Sequence, residues 1–252
     1  MLNCQHFFHM ARGDTSVKVF VGVSGFSYPS WVGRFYPKGL KGEEFLGYYS
    51  KHLGSVEINS SFYAPPSAAM IKSWSTKAGT DFRFAFKAPR LITHILKLGR
   101  GAPEASGKLN ATLNGLGQRR GPILFQLPPF SRFDHDLLQK FLSDTTDIEP
   151  KVFEFRHASW FTDSTYRLLE DHGAGFCIAE TEDMEPIFKV TGSFAYFRLR
   201  KDSYDEKTMG RWSERIRKAS DSASECYVYL RHDETGDNAL LAQKLSTTLQ
   251  EP

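Results

Sequence analysis

From Val17 onward, short β-branched or aromatic runs alternate with helix-like stretches eight times in succession, and this rhythm constrains the fold more than any other feature of the chain. The runs fall at residues 17–24, 55–59, 82–87, 121–126, 151–156, 175–180, 193–200 and 225–231. Helical stretches lie at 42–52, 67–77, 103–118, 135–143, 163–172, 205–220 and 238–250. Strands joined through helices run parallel, and parallel strands need cover on the outside, so the pattern predicts an α/β fold: a single (β/α)8 TIM-like barrel over residues 17–252. The stretch at 181–192 is short and marked by Pro and Gly, so the sixth crossover is expected to lack a full helix. A doubly wound sheet is the alternative. No G-x-G-x-x-G follows the first run, however, and no G-x-x-x-x-G-K-[ST] occurs anywhere. Residues 1–16 show no sustained periodicity and read as a frayed extension.

Composition narrows the function classes. The 252 residues are 40% hydrophobic, and 32 Lys and Arg against 29 Asp and Glu give a net charge of +3. That bias is too small for wholesale coating of nucleic acid or membrane, so any polyanion site must be local. The three cysteines, Cys4, Cys177 and Cys226, form no CxxC or Cys/His cluster and read as reduced thiols. No apolar run approaches the roughly 20 residues of a membrane span, and no secretory signal opens the chain, so a cytoplasmic protein with no membrane partner is expected.

Alternation within the runs divides each strand into two faces. Phe82, Phe84 and Phe86 share one face while Arg83, Ala85 and Lys87 share the other; Phe153 and Phe155 oppose Val152, Glu154 and Arg156. In a barrel the greasy face meets the helices, and the other points into the lumen, where residues near the C-terminal ends ring the opening. That assignment places Ser24, Glu57 and Asn59, Lys87, Gln126, Glu154 and Arg156, Glu180, Arg198 and Arg200, and Arg231 at the mouth, with His94, His157 and His232 nearby. Active sites of such barrels lie at this end. Five cations (Lys87, Arg156, Arg198, Arg200, Arg231) against three carboxylates (Glu57, Glu154, Glu180) leave a surplus of two positive charges, which favours an anionic ligand over a divalent cation. The alternative is that these charges merely pair and close the barrel top.

Several chemistries are compatible with this ring. Arg156, Arg198 and Arg231 would hold an anion, Glu57 or Glu154 would act as general base, and His157 as acid. Lys87, crowded by guanidiniums, would have a lowered pKa and could form a Schiff base with an aldehyde. Aromatic residues that follow the strands, including Tyr28, Trp31, Tyr63 and Trp160, suit stacking on bases or sugars, or else plug the barrel top. Glu57, Glu154, His157, Glu180 and Asp233 could supply metal ligands, but no tight ligand spacing is present and guanidiniums stand among them, so no metal and no cofactor are expected. Glycoside hydrolysis through Glu57 and Glu154 would require that no cation lie between them. Gly22-Val23-Ser24-Gly25 is not a G-x-S-x-G nucleophile motif.

The segments VGVSGFSYPSWVGRFYPKGL, SVEINSSFYAPPS, FRFAFKAPRLITH, GPILFQLPPFSRF, FEFRHASWF, AYFRLR and YVYLRHD, in this order, resemble the YecE-like proteins, the domain-of-unknown-function family 72, over about residues 17–249. The resemblance implies a TIM-like barrel of unestablished biochemical activity, with an analogy of fold to apurinic endonuclease IV and the sugar-isomerase-like barrels. Matching positions are Ser24, Gly25, Glu57, Asn59, Phe62, Tyr63, Lys87, Pro89, His94, Gln126, Glu154, Arg156, His157, Trp160, Tyr196 and Arg198. Where the family typically reads R-L-H-G this chain has Arg198-Leu199-Arg200-Lys201, and where it typically reads F-N-N-D it has Leu230-Arg231-His232-Asp233; of the second pattern Asp233 alone is kept. The expected partner is therefore an anionic small molecule or nucleic acid at the mouth: a nucleotide, sugar phosphate or nucleic-acid strand, processed or simply bound. A non-catalytic binding module and a metal-dependent enzyme like the sugar isomerases or endonuclease IV are the alternatives. Protein partners and oligomeric state are not legible.

Overall fold

All eight apolar runs become strands, each paired parallel to its neighbours, in a computed structural model that describes residues 17–251; the extension expected at residues 1–16 lies outside that range. The strands are β1 (Lys18–Val23), β2 (Ser55–Ile58), β3 (Arg83–Lys87), β4 (Arg120–Gln126), β5 (Lys151–Glu154), β6 (Gly175–Glu180), β7 (Phe194–Leu199) and β8 (Glu225–Leu230). Their order, β1-β8-β7-β6-β5-β4-β3-β2, returns to its start, because a parallel bridge between Ser24 and Glu57 joins the ends of β1 and β2. The architecture is a (β/α)8 barrel.

Seven helices among the described residues cover the outside: α1 (Phe45–His52), α2 (Ala68–Lys77), α3 (Ala102–Leu113), α4 (His135–Asp144), α5 (Asp163–Asp171), α6 (Glu206–Ser220) and α7 (Asp237–Gln250). Their starts are written locally. Ser67, Asp134, Thr162 and Asp205 each accept the backbone N–H three residues on, opening α2, α4, α5 and α6, and such a cap contributes about 1 kcal/mol. The third helix ends at Leu113 rather than at residue 118, because Asn114–Arg119 tightens into a 3-10 turn broken by Gly117 at φ 56°. No helix forms between β6 and β7; there Ile187 and Val190 pack on the core and Phe188 meets Trp212 of α6, replacing a helix as cover. None of the described helices is long and apolar enough to cross a membrane.

The two strand faces build two cores. Phe84, Phe86, Phe125, Phe153, Phe197 and Val228 point outward into the layer shared with the helices. Inside the barrel, Phe20, Phe194, Tyr196, Tyr227 and Tyr229 interleave with Ala85, Leu124, Val152, Cys177 and Ala179, large side chains opposite small ones. The lumen is therefore packed below its mouth and leaves only the C-terminal rim for chemistry.

The seam between β1 and β2 is closed by a side chain. Gly22 approaches β2 so closely that a Cβ would lie 1.9 Å from the Ser55 carbonyl oxygen, so only glycine fits. Beside it the Tyr49 hydroxyl, delivered by α1, accepts from the Val23 N–H at 2.9 Å and donates to the Ser55 carbonyl at 3.0 Å. At the top, Gly25 turns the chain at φ 82° and its N–H donates to the Glu57 carbonyl at 2.9 Å. Removing the hydroxyl in Tyr49→Phe orphans two buried backbone groups, each costing about 1–3 kcal/mol. The urea midpoint should fall by a corresponding amount with an unchanged m-value; a midpoint equal to that of the parent protein would show that the seam does not depend on Tyr49.

Candidate functional site

The C-terminal end of the lumen holds a buried ion-pair cluster centred on Arg198 of β7. Its guanidinium grips Glu57 of β2 in two places, Nε to Oε2 at 2.8 Å and Nη2 to Oε1 at 2.9 Å, and through Nη1 it also donates to Oε2 of Glu154 on β5. Glu57 further accepts from the Tyr196 hydroxyl at 2.9 Å and Ser24 Oγ at 3.0 Å. Glu154 accepts from Gln126 Nε2 at 2.7 Å and Arg156 Nε at 3.0 Å. Above them Arg200 Nη1 donates to Ser24 Oγ at 2.5 Å and stands 3.9 Å from Glu57 Oε1. Glu57, Glu154 and Arg198 are essentially inaccessible to solvent. A buried charge survives only when paired and hydrogen-bonded, and here every carboxylate oxygen has a donor.

Burial by itself would raise the carboxyl pKa values. The guanidiniums and hydrogen bonds outweigh it: Arg198 and Arg200 hold Glu57 at about 2, and Arg198 and Arg156 hold Glu154 at about 2. Carboxylates held so far down are poorly suited to the general-base role expected for Glu57 and Glu154. Arg198 also occupies the space between them, contrary to what glycoside hydrolysis requires. Their oxygens are already engaged by protein donors, and among the described residues no group of three or more His, Cys, Asp or Glu is placed to hold a metal.

Lys87, at the end of β3, is different. Its Nζ makes no ion pair or hydrogen bond among the described residues and rests 4.1 Å over the Phe62 ring. Burial and then the Arg198 charge lower its pKa to about 8. His94 meets the edge of the same ring at 5.0 Å; burial and then Lys87 lower its pKa as well. Asn59, just past β2, has a buried Oδ1 lacking a hydrogen-bond partner in the described structure and lies on the wall of a separate cleft of about 460 Å³ that also includes Gly25, Tyr28 and Trp74.

Ser24, Glu57, Lys87, Gln126, Glu154, Arg156, Tyr196 and Arg198 thus converge; other expected members do not. Glu180 faces outward, because Cys177 and Ala179 take the lumen phase of β6; it accepts from Trp212 Nε1 at 3.2 Å and pairs with Lys201 at 3.0 Å. Arg231 is half-exposed and pairs with Asp202. Asp233 accepts the N–H groups of Gly236 at 2.8 Å and Asn238 at 3.1 Å, which consumes it in starting α7. Trp160 is buried, stacked on Phe155 at 4.3 Å, with its indole N–H donating to the Ser131 carbonyl at 2.7 Å; it cannot meet a ligand. His157 Nδ1 accepts from the Ser159 N–H at 3.2 Å and so caps a 3-10 turn, leaving its expected role as acid without support from the cluster. Tyr63 stands on the rim, largely exposed. Trp31, Phe35 and Tyr36 after β1 are buried plugs.

Phe62 and His232 are both named by the sequence, but their contacts leave no mark there. The Phe62 ring floors the Lys87 amine. His232 stacks face to face on Tyr28 at 5.0 Å with its buried Nδ1 unpartnered in the described structure.

The fold and this buried cluster define the class: a parallel (β/α)8 barrel whose C-terminal mouth is organised by an arginine held between two glutamates. The chain belongs to the family described as protein of unknown function DUF72, whose model matches residues 20–252. YecE of Escherichia coli strain K12 is 28% identical over 144 residues, 57% of this chain and 50% of that protein. YunF of Bacillus subtilis is 24% identical over 155 residues, 59% of this chain and 54% of that protein. The chain thus spans about half the length of the curated relatives it matches. The crystal structure of a family member from Thermotoga maritima superposes with a TM-score of 0.82 at 28% identity, covering 93% of this chain and all of that one. A member from Enterococcus faecalis, at 18% identity and a TM-score of 0.77 over 93% of this chain and 96% of that one, shares the fold.

Glutamates with depressed pKa values contribute stability that is complete above their ordinary value near 4.5 and is lost as pH falls through about 2. The melting temperature should therefore hold between pH 7 and 5 and drop steeply below 4.5. Glu57→Gln, which leaves Arg198 half-paired, should be less stable by about 3–5 kcal/mol at pH 7. Its deficit should narrow as the pH approaches 2, and a deficit independent of pH would remove the ion pair as its cause.

Proposed function

We propose that the barrel mouth binds the phosphate group of a phosphorylated ligand. One observation carries the reading: four cations, Lys87, Arg156, Arg198 and Arg200, surround two carboxylates, Glu57 and Glu154, a surplus of two positive charges with Arg198 already spent on the glutamates. The membership differs from the sequence expectation, since Glu180 and Arg231 leave together, but the surplus is the same. Among the described residues Lys87 has no ion-pair or hydrogen-bond partner, and Arg156 and Arg200 each have guanidinium nitrogens without an acceptor. A dianion bridging these groups would replace lost hydration with charge-assisted hydrogen bonds and cancel the surplus. In thermal-shift measurements, inorganic phosphate, nucleotides or sugar phosphates should raise the melting temperature, as ligands that bind only the folded state do. Lys87→Ala and Arg200→Ala should each reduce the shift. A shift with manganese or zinc and none with any phosphate would overturn the reading.

The Lys87 amine favours an enzymatic form of the same function. An amine held near its neutral form beside an anion site can condense with the aldehyde of a phosphorylated sugar: its nitrogen bonds to the carbonyl carbon, and the carbonyl oxygen departs as water with both amine hydrogens, leaving an imine. Borohydride should trap this adduct with glyceraldehyde 3-phosphate or with an abasic oligonucleotide, faster as pH rises through about 8 because the free amine is the reactive form. Lys87→Arg should keep phosphate binding but give no adduct. Absence of any trapped product on the parent protein would leave a binding site without this chemistry.

A further inference from the structure

The rim around the mouth is electrically divided. The loops that follow β2, β3, β4 and β5, residues 59–67, 88–101, 127–134 and 155–162, contain five cations, Arg90, Lys97, Arg100, Arg132 and Arg156, and one carboxylate, Asp134, which is occupied as the cap of α4. The loops that follow β6, β7 and β8, residues 181–193, 200–205 and 231–236, carry seven carboxylates against four cations. All five cations of the first half are exposed, and only Arg156 makes an ion pair among the described residues. A net charge of +3 conceals this separation.

The same half-rim is unusually apolar. Six large hydrophobic side chains are exposed among the described residues, and four of them stand here: Tyr63 at 84%, Phe130 at 66%, Ile95 at 58% and Leu91 at 47%. Concentration of exposed apolar side chains marks an interaction surface, whereas single exposed ones do not. Tyr63, Leu91 and Ile95 line a cleft of about 570 Å³ together with Phe62 and Lys108. Cations and rings are paired along the surface, Lys87 over Phe62 at 4.1 Å and Lys97 over Phe130 at 5.4 Å. The loop that presents them is strained. Lys97 and Leu98 adopt φ of 48° and 64°, the only left-handed non-glycine residues described, and Leu91–Ile95 forms a π-helical turn. Left-handed backbone at such residues costs about 1–2 kcal/mol each and persists where its surroundings enforce it.

We propose that this half of the rim docks a single-stranded nucleic acid, its bases stacking on Tyr63 and Phe130 and its phosphates following Arg90, Lys97 and Arg132 toward the mouth. The inference rests on the mouth being an anion site and names the polymer that would deliver the phosphate. Alternating rings and cations match alternating bases and phosphates. A duplex would hide the faces that Tyr63 and Phe130 require. A flat anionic bilayer could meet the exposed side chains but could not follow the cations down to the partly buried Lys87.

Fluorescence anisotropy of the full chain with labelled 15-nucleotide oligo-dT and oligo-rU, a 15-base-pair duplex and phosphatidylserine vesicles tests it. Binding to either single strand should exceed binding to the duplex and vesicles, weaken steeply with salt, and fall about tenfold or more in Tyr63→Ala and in Phe130→Ala. A preference for one strand would identify the sugar. Both substituted side chains are exposed, so melting temperatures should match the parent and the phosphate-induced thermal shift should be unchanged. If phosphate still shifts the melting temperature while neither strand binds, or while both alanine variants bind as the parent does, this inference fails and the anion site stands. Binding to vesicles alone would likewise overturn it.

Discussion

One buried guanidinium sets the terms for everything at the top of this barrel. Arg198 reaches from β7 to glutamates on β2 and β5 and so ties together strands that are distant in the ring. An arginine suits the position because its planar fork meets one carboxylate with two parallel hydrogen bonds and still has a third direction free. Replacing any of the three charges with an uncharged group would strand the others in low dielectric, so the cluster behaves as a unit. Its formation also explains why the lumen can end in polar residues: Tyr196, Ser24 and Gln126 supply the remaining donors, and no carboxylate oxygen is left bare.

That arrangement decides which groups are available for function. Residues that look reactive in sequence, Glu57 and Glu154 above all, are spent on holding the cluster together, whereas Lys87 rests on a ring, has no ion-pair or hydrogen-bond partner among the described residues, and is disfavoured in its charged form by burial and by Arg198. The site is therefore cationic by subtraction. Neutralisation of two of its charges inside the fold leaves the others facing outward. Arg200, which donates to Ser24 Oγ and stands 3.9 Å from Glu57, adds to that charge.

The barrel was legible because its signal is repeated eight times; a misplaced boundary of one or two residues leaves the count unchanged. The absent sixth helix was visible in Pro186 and Gly192. Alternation correctly put Lys87, Glu154 and Arg198 on one face, since Phe84, Phe86, Phe153 and Phe197 marked the other. It failed at Glu180, because β6 offers small and apolar residues on both faces and the last polar residue was assumed to point inward. The contacts of Asp233, Trp160 and His157 are illegible for another reason: each bonds to backbone N–H or C=O groups a few residues away or across loops, and such local duties leave no mark in residue type. The seam could not have been read from sequence, as nothing at Tyr49 or Gly22 reveals that a hydroxyl must stand in for a missing ladder.

Ser24 belongs to both systems. Its backbone makes the final rung that shuts the ring against Glu57, while its hydroxyl donates to that glutamate and accepts from Arg200. Any ligand that draws Arg200 aside must therefore act on the very residue that fastens the first strand to the second. By reciprocity, were such a ligand bound, occupancy above and closure below would share a free energy: what loosened the clasp would change the grip, and what was gripped would report on the clasp.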